Sequence, residues 1–583
     1  MRWHILFLFW GLFTSVYSQT SSKNTPQESK ISFASPLNIP LVASGTFGEL
    51  RSNHFHSGLD LKTKQQTGLP IYAPSDGFVS RIKIAHFGYG KALYIQHPEG
   101  FFTVYAHLEK YADAIQTHVL KKQYSKEVFE IERFPAQQGD SLFVKKGDII
   151  GYTGNSGGSA GPHLHFEIRD AHQRPLNPLN FGIKVKDTRK PKIKALYAYA
   201  LDTESKLNST HKRRIKLRLI PQQDGTYKTN KLKATGNIGF GVAVTDQQDF
   251  APNKNGIYSI ETTYNGEALF KVTFDRLSFS ETRYINDYID YPLFVEEKVR
   301  VQKLFRTNYN PLSIIETNFN EGSLKITEGY HGHLKINIRD FAGNSQQIFI
   351  PIEGSLNSVD YSSIPKEKEV EETHDKTHKQ LLKAKLTNTF SFKNFSVNIP
   401  KGALYQDIST DIYAKADTLF LGNSKIPLHK SIRITANVNN YKDTDLSKLF
   451  LGLVRYNYEP QYLSTQLKNN TLIAYTKEMG KIVIASDTTK PKIKPVNFTD
   501  GKWLSNHQKL QLKIEDQHTG IGAYRGTLNG KFALFEYDPK THMLTHFFSD
   551  GISQNGKNNL KVVVLDNVGN STTFEASFFR KQE

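Results

Sequence analysis

Two histidines stand two residues apart in the segment Gly-Pro-His-Leu-His-Phe-Glu at 161–167. Successive side chains of an extended strand point to opposite faces, so His163 and His165 should share one face. Leu164 and Phe166 would then point the other way, into a core. Two imidazoles on one face suit a metal site in which one histidine binds the ion and its neighbour handles a water molecule or an oxyanion.

Further polar residues upstream could complete such a site. His56 and Asp60 are four residues apart, with a glycine between them that lets the chain fold tightly. His107 lies in an apolar run, Tyr-Ala-His-Leu. His54 precedes His56 by two residues and could share its face, but the four-residue spacing to Asp60 favours His56. Two histidines and one aspartate from this set would leave a fourth coordination position open, as in catalytic zinc sites.

The composition restricts the chemistry of the site and the class of protein. The 583 residues suffice for roughly three to five domains. The chain has no cysteine, which excludes disulfides and thiolate ligands, so any metal must be held by histidines and carboxylates. The net charge of +19 favours anionic envelope polymers as partners, or it reflects basic residues scattered over solvated faces. No aromatic-basic motif indicates nucleic-acid binding.

The first residues resemble a secretion signal, which predicts an exported protein of the periplasm, the cell envelope or the medium. Arg2 precedes a short apolar run at 5–16, and Val-Tyr-Ser at 16–18 resembles a cleavage site. The run is shorter than the ~20 residues of a membrane span, although a retained N-terminal anchor is the alternative. We therefore expect a signal peptide at 1–18, no transmembrane helix after its removal, and a flexible leader at 19–38.

The elements that must position the histidines are strands. Between 39 and 184, short apolar runs alternate with Gly- and Pro-containing turns, including Ser-Asp-Gly at 75–77 and Lys-Lys-Gly-Asp at 145–148. The runs on either side of Pro-Glu-Gly at 98–100 have the pattern of hairpin partners. This region is predicted to be a mostly antiparallel β domain.

These motifs, in this order, resemble the lysostaphin/LytM family of zinc metallopeptidases, which cut peptide bonds in peptidoglycan. The likeness covers residues from about 45 to 181. It implies that His56, Asp60 and His165 hold one Zn²⁺ per catalytic domain. It also implies that His107 and His163 are the catalytic histidines that activate the water and stabilise the oxyanion, with peptidoglycan peptides as the substrate.

One segment departs from the family pattern. Residues 109–143 form an insertion where a much shorter connection is expected, with a helical pattern at 109–126 and a strand-like one at 127–134. It is either a neutral surface excursion or a wall of the substrate groove. Glu167 shares the face of His165 and either orients that ligand or is an ordinary surface carboxylate.

The rest of the chain is predicted to form three β-sandwich-like regions. Asp-Thr-Arg-Lys-Pro-Lys-Ile-Lys at 187–194 recurs as Asp-Thr-Thr-Lys-Pro-Lys-Ile-Lys at 487–494, and each copy ends in a strand followed by Gly-Asn-Ser. This resembles bacterial immunoglobulin-like modules. The prediction is an immunoglobulin-like domain with insertions at 187–353, a charged linker at 354–385, a β-sandwich at 386–486 and an immunoglobulin-like sandwich at 487–583, with wall or protein partners.

Three functions compete at this stage. The first is an exported zinc endopeptidase that hydrolyses cross-links or stem peptides of peptidoglycan. The second is a catalytically silent wall-binding or hydrolase-regulating protein of the same fold. All five metal and acid/base positions are present, which argues against this second function. The third is a biotinyl- or lipoyl-like carrier, which would display a lysine on a hairpin and would not need a histidine cluster.

Overall fold

The computed structural model describes residues 31–581 except 140, 209, 211, 308, 355–377, 442 and 456–457. The predicted signal peptide and most of the predicted linker therefore lie outside the described residues. The described part is mainly β, as the sequence predicted. It is built from a β domain at the N-terminus and three further β-rich regions, here called the second, third and fourth domains.

The N-terminal domain is a large antiparallel sheet with a smaller three-stranded sheet packed beside it. One interior strand of the large sheet is His163–Arg169, here called the histidine strand. It pairs with Leu59–Lys62 on one side and with Phe102–Ala106 on the other. The remaining strands are Ala43–Gly45, Pro70–Tyr72, Gly77–Ile84, Lys91–Gln96, Lys110–Tyr111, Ile131–Arg133, Phe143–Val144, Ile149–Tyr152 and Pro175–Leu176.

The alternation of polar and apolar side chains in the histidine strand explains its place in the sheet. Leu164 and Phe166 have no exposed surface and belong to the hydrophobic core. Burying two such side chains stabilises the fold by about 1.5–3 kcal/mol each. This fixes the strand register, because a one-residue slip would exchange the two faces and bury the histidines in the core.

The predicted insertion docks another part of the same chain. It contains the helix Asp113–Lys126 and the strand Ile131–Arg133. The hydroxyl of Tyr124 on this helix donates to Asp550 and accepts from the amide of Leu534 at 3.3 Å, and both partners lie in the fourth domain. None of the described residues of 109–143 lines the groove described below, so the insertion is a docking surface and not a wall of that groove.

The second domain shares a continuous hydrophobic core with the N-terminal domain. The ring of Phe55 lies 5.8 Å from that of Phe274 and 6.2 Å from that of Tyr288. The two domains therefore form one packed unit around the site. The strands of the second domain are Lys192–Ala200, Lys206–Leu207, Arg214–Leu217, Ile220–Pro221, Tyr227–Lys228, Leu232–Thr245, Ser259–Tyr264, Glu267–Thr273, Gln302–Lys303, Ile315–Thr317, Leu324–Ile326, His331–Arg339 and Ser345–Gly354, and its helices are Ile285–Tyr288 and Tyr291–Glu297.

The third and fourth domains each consist of two sheets around a core of their own. The third contains Lys379–Leu382, Asn388–Ser391, Phe395–Ile399, Ile408–Lys415, Thr418–Leu421, Pro427–Asn437, Leu449–Val454, Gln461–Tyr462, Thr465–Lys468, Thr471–Glu478 and Gly480–Ser486. The fourth contains Lys492–Pro495, Lys502–Trp503, Lys509–Glu515, Ile521–Leu528, Lys531–Ala533, Glu536–Asp538, Met543–Phe547, Gly556–Asp566 and Ser571–Arg580. The immunoglobulin-like assignment stays a prediction.

Two predicted boundaries are wrong. The leader at 19–38 was expected to be flexible, but Phe33 and Leu37 are only 3% exposed and pack into the core of the N-terminal domain. The segment 354–385 was expected to be a charged linker or a solvated helix, but Lys379–Leu382 is a strand that pairs with Ile408–Lys415. In both segments the polar composition hid a few apolar side chains that the neighbouring sheet buries. Among the described residues, no helix is both long and apolar enough to cross a membrane.

Candidate metal centre

The pairing of three strands brings the predicted ligands together. Asp60 lies directly opposite His165 in the sheet, and Ala106 is the partner of His165 on the other side. His107, the residue after Ala106, therefore lies beside the histidine strand. His56 reaches the same point from the turn before Leu59–Lys62, where a Cβ on Gly58 would lie 2.3 Å from the carbonyl oxygen of Phe166. The glycine is thus required by this close approach of two backbones.

Three donor atoms converge on one point. His56 Nε2 lies 3.0 Å from Asp60 Oδ1 and 3.1 Å from His165 Nδ1, and His165 Nδ1 lies 2.9 Å from Asp60 Oδ1. All three residues are less than 9% exposed. Among the described residues, His56, Asp60 and His165 form one of the groups that could hold a metal ion.

The other ring nitrogens of the two histidines are already engaged. His56 Nδ1–H donates to the carbonyl of Thr46 at 2.8 Å, and His165 Nε2–H donates to Glu167 Oε1 at 2.8 Å. These bonds fix the ring orientations, so His56 Nε2 and His165 Nδ1 are the nitrogens that face Asp60 and would bind a metal. Two imidazole nitrogens and one carboxylate oxygen, with the outward nitrogens held by hydrogen bonds, match the donor set of a catalytic zinc site.

A buried network of polar side chains holds His165 in place. Glu167 has no exposed surface and accepts hydrogen bonds from Arg169 Nε at 2.6 Å and Ser57 Oγ at 2.6 Å, besides its bond from His165. Tyr89 OH also donates to Glu167. Burial alone would raise the pKa of Glu167, but the charge of Arg169 and the bond from His165 hold it below its usual range. Of the two earlier interpretations of Glu167, the structure agrees with the orienting one.

At His165 and Asp60, hydrogen bonding and burial shift the pKa in opposite directions. Burial alone would lower the pKa of His165, but the bonds to Asp60 and Glu167 raise it to about 9. Burial likewise would raise the pKa of Asp60, but the surrounding histidines hold it well below its usual range. Without a bound cation, His165 is therefore protonated at pH 7 and bonded to both carboxylates.

His107 and His163 flank the three ligand atoms. Their ring centroids are 4.8 Å apart, and His163 Nε2 lies 3.3 Å from Asp60 Oδ1. His107 Nδ1–H donates to the carbonyl of Ser156 at 2.9 Å, and His163 Nδ1–H donates to the carbonyl of Gly161 at 2.8 Å. The loop between Ile149–Tyr152 and the histidine strand thus orients both rings through Nδ1, which leaves Nε2 of each for proton transfer.

The backbone and the pKa of His107 are both unusual. Its φ of 61° lies in the left-handed region, which costs a non-glycine residue of order 1–3 kcal/mol. Burial, with a further contribution from the neighbouring His165 and His163, lowers the pKa of His107 to about 3. The imidazole is therefore neutral at pH 7. Strained backbone and a strongly shifted pKa occur together most often at functional sites.

The site opens into a groove of about 840 Å³ that sequence reasoning described only in part. His54, the rejected alternative to His56, lines this groove but does not belong to the group of ligand atoms. Arg51 also lines the groove and donates to Asp60 Oδ2 at 2.9 Å. The second domain contributes Asn253, Phe279 and Thr282 to the lining.

One missed residue was accessible to sequence reasoning. Arg169 continues the alternation of His163, His165 and Glu167, so the two-residue period predicts that it shares their face. Arg51 and the groove residues of the second domain had no such local pattern. His97 lies outside the groove, where its Nδ1–H donates to the carbonyl of Asp76 at 2.7 Å and its Nε2 accepts from Thr103 Oγ1 at 2.8 Å.

The donor set and the adjacent histidines define a metallopeptidase-type centre, and comparisons with known proteins agree. Residues 54–124 and 115–178 match the model of peptidase family M23, and residues 379–487 match the Zu5-like domain. The N-terminal domain of this chain is thus an M23 peptidase domain.

Curated relatives match over the same region. DD-carboxypeptidase/endopeptidase Mpg of Neisseria meningitidis serogroup B is 32% identical over 134 residues, which cover 23% of this chain and 24% of the relative. Peptidoglycan DD-endopeptidase ShyA of Vibrio cholerae is 30% identical over 128 residues, covering 22% and 23%. An uncharacterized metalloprotease of Haemophilus influenzae is 32% identical over 155 residues, covering 26% of each chain. The chain spans about a quarter of the length of these relatives.

Proposed function

We propose that this protein is an exported zinc metalloendopeptidase that hydrolyses peptide cross-links or stem peptides of bacterial peptidoglycan. The observation that carries the proposal is the convergence of His56 Nε2, Asp60 Oδ1 and His165 Nδ1 within about 3 Å of one another, beside two further histidines in an open groove. The match to family M23 and the relatives named as DD-endopeptidases support it.

His56, Asp60 and His165 would hold the zinc ion. When bound, zinc supplies a Lewis acid and lowers the pKa of a coordinated water from 15.7 to about 7. The protein supports this chemistry by directing His56 Nε2 and His165 Nδ1 towards the site through the bonds of the opposite ring nitrogens to Thr46 and Glu167. The position of His165 on a paired strand keeps the ligand rigid.

His107 and His163 are proposed to move protons and to orient the scissile peptide. The neutral His107 keeps Nε2 as a proton acceptor, because its Nδ1–H is held by Ser156. The proton taken from the attacking water can then pass to the leaving amine. His163 is held in the same way, and its Nε2 lies 3.3 Å from Asp60 Oδ1. With a proton on Nε2, His163 would donate a hydrogen bond to the carbonyl oxygen as that oxygen gains charge.

The surface of the groove suits an acidic peptide. Three basic residues, Arg51, Lys62 and Lys64, line it beside the histidines. Peptide stems that carry free carboxylates would be attracted to this rim, and the attraction would weaken with salt. We propose further that the apolar N-terminus exports the chain to the periplasm or cell envelope. Anionic envelope polymers and a protein partner for the C-terminal domains remain proposals that rest on the sequence.

The test is digestion of purified peptidoglycan, with released fragments separated by chromatography. The wild type should convert cross-linked dimers into monomers, lose this activity to a chelator and regain it with zinc. His165→Ala should lose both metal and activity, whereas His163→Ala should keep the metal and lose activity. His172→Ala, an exposed histidine just beyond the histidine strand, is the matched control and should behave as wild type.

Two results would reject the proposal. If the wild type binds zinc but cuts no peptidoglycan peptide, the substrate class is wrong. If it neither binds zinc nor cuts, the domain is a silent scaffold, and the competing view of a wall-binding or regulatory protein replaces it.

A further inference from the structure

Three aspartates of the second domain meet at one end of its sheet. Asp187 precedes the first strand, Asp246 follows Leu232–Thr245, and Asp340 follows His331–Arg339. Each offers an oxygen, and these oxygens lie within 4.8 Å of one another. Asp246 and Asp340 are both 2% exposed. Carboxylates this close repel one another strongly unless a cation or a proton lies between them.

A buried amide beside the aspartates has no partner. Asn255 is 2% exposed, and neither its amide oxygen nor its amide nitrogen has a hydrogen-bond partner. Asn255 and Asp246 lie directly opposite each other in an antiparallel bridge, with backbone bonds of 2.8 and 2.9 Å. Side chains of directly opposed residues lie on the same face about 4.5–5.5 Å apart at Cβ. The unpartnered amide of Asn255 is therefore directed to the side on which Asp246 lies.

Two more oxygens in this loop lack partners. Asp246 Oδ1 and Gln248 Oε1 make no hydrogen bond, although both residues are less than 5% exposed. Leaving a buried polar group unsatisfied costs about 1–3 kcal/mol, so several in one short loop would be a large penalty in a folded protein. A bound cation would satisfy Asp246 Oδ1 and the amide oxygen of Asn255.

The charges around the aspartates do not cancel. Burial and the neighbouring Asp187 raise the pKa of Asp246 to about 8, and burial raises that of Asp340 to about 6. Asn344 donates to both oxygens of Asp340 at 2.8 Å, and Arg189 lies 3.7 Å from Asp249, at the edge of the group. The carboxylates of the cluster thus face an excess of negative charge.

We propose that Asp187, Asp246 and Asp340, with the amide oxygen of Asn255, bind a calcium ion. All four donors are oxygens, which hard cations prefer, and the site offers neither the histidine nor the thiolate that zinc favours. Calcium tolerates irregular geometry and fills its remaining positions with water or backbone carbonyls. Magnesium demands a more regular octahedral arrangement.

The position of this site gives it a role at the catalytic groove, and this step rests on the proposed peptidase function. The chain from Asp246 to Gly256 carries Asn253, which lines the groove. The amide of Gly256 donates to Thr46 Oγ1 at 3.0 Å, and the carbonyl of Thr46 accepts the Nδ1–H of His56 at 2.8 Å. Calcium would thus fix a loop that forms one wall of the groove and supports a metal ligand.

The fourth domain contains an internal comparison. Asp487, Asp516 and Asp566 form a group like that of the second domain, and the repeated Asp-Thr-x-Lys-Pro motif places Asp487 where Asp187 stands. There, Asp516 Oδ1 also lacks a hydrogen-bond partner, but the other two carboxyls are bonded to protein donors. Asp487 Oδ2 accepts from Thr519 Oγ1 at 2.8 Å, and Asp566 Oδ1 accepts from the amide of Asn570 at 2.8 Å. Among the described residues of the fourth domain, no buried side-chain amide lacks a hydrogen-bond partner, whereas the unpartnered Asn255 lies opposite Asp246, so the calcium site is assigned to the second domain.

The test is titration of the full-length protein with CaCl₂ after dialysis into calcium-free buffer, followed by calorimetry and by thermal unfolding. The wild type should bind calcium and unfold at a higher temperature, with MgCl₂ at least tenfold weaker. Asp246→Asn, which preserves the side-chain size, should weaken calcium binding at least tenfold. Asn255→Ser is a second variant with the same expected direction, and Asp516→Asn in the fourth domain should bind as wild type.

The proposal can fail in two recognisable ways. If a proton shared between the carboxyls balances the charge, calcium will not shift the unfolding of the wild type, and Asp246→Asn alone will stabilise the protein. If Asp516→Asn loses calcium while Asp246→Asn retains it, the ion belongs to the fourth domain. Both readouts measure binding without substrate, so they remain valid even if the protein cuts no peptidoglycan.

Discussion

Replacing Glu167 with glutamine would remove the charge that holds His165 while keeping the shape of the side chain. Two consequences follow from the structure. The guanidinium of Arg169, which is 5% exposed and bonded to Glu167 at 2.6 Å, would be left without its carboxylate. His165 would keep a neutral acceptor in place of a charged one.

The two consequences have different magnitudes. Breaking a buried ion pair by removing one partner costs about 3–5 kcal/mol. At 1.4 kcal/mol per factor of ten, the amides of the histidine strand should lose between about two and three and a half orders of magnitude of protection from hydrogen exchange. Loss of a carboxylate that orients a metal-binding histidine typically weakens metal affinity about 10- to 100-fold.

The pH of the zinc assay matters. Glutamine also lowers the pKa of His165, because the bond to Glu167 is one of the interactions that raise it to about 9. At pH 7 the variant therefore suffers less competition from protons, which offsets part of the loss. Competition with a chelator of known affinity should show the full 10- to 100-fold loss at pH 9 and a smaller one at pH 7.

A double variant separates stability from metal binding. Arg169→Met added to Glu167→Gln removes the unpaired charge. The histidine strand should therefore regain most of the lost protection from hydrogen exchange. Zinc affinity should not recover, because His165 still lacks its carboxylate. The assigned role of Glu167 would be refuted if Glu167→Gln kept its zinc affinity at pH 9. It would also be refuted if zinc affinity recovered fully in the double variant.

Two further predictions concern proton competition and the docking of the fourth domain. Zinc affinity of the wild type should fall about tenfold for each pH unit below about 9. The reason is that zinc must displace the proton of His165, whose pKa is raised to about 9. A zinc affinity that stays constant between pH 7 and 9 would contradict this. Lys91→Met should remove the bonds of 2.8 and 2.9 Å from Lys91 Nζ to Glu536. Hydrogen exchange should then become faster in Asp113–Lys126 and Glu536–Asp538, while zinc affinity should not change. The exposed Lys121→Met is its control, and equal exchange in both variants would show that the ion pair does not hold this interface.

Local patterns in the sequence were sufficient for the strand that carries the site. The alternation at 161–167 placed two apolar side chains in the core and two histidines together near Asp60, because a strand has a period of two residues. The helix and strand inside 109–143 were also visible from local patterns and appear at 113–126 and 131–133. The absence of cysteine fixed the donor chemistry in advance.

The tertiary structure decided what no local period encodes. It brought Arg51 to Asp60, placed Asn253 of the second domain in the groove and turned the insertion into a docking surface for the fourth domain. It also buried Phe33 within a segment of polar composition. These contacts join residues far apart in the chain, and they depend on which complementary surfaces meet once each domain has folded. The sequence by itself determined the face of a strand and its chemistry, whereas the packing between domains determined the shape of the groove around it.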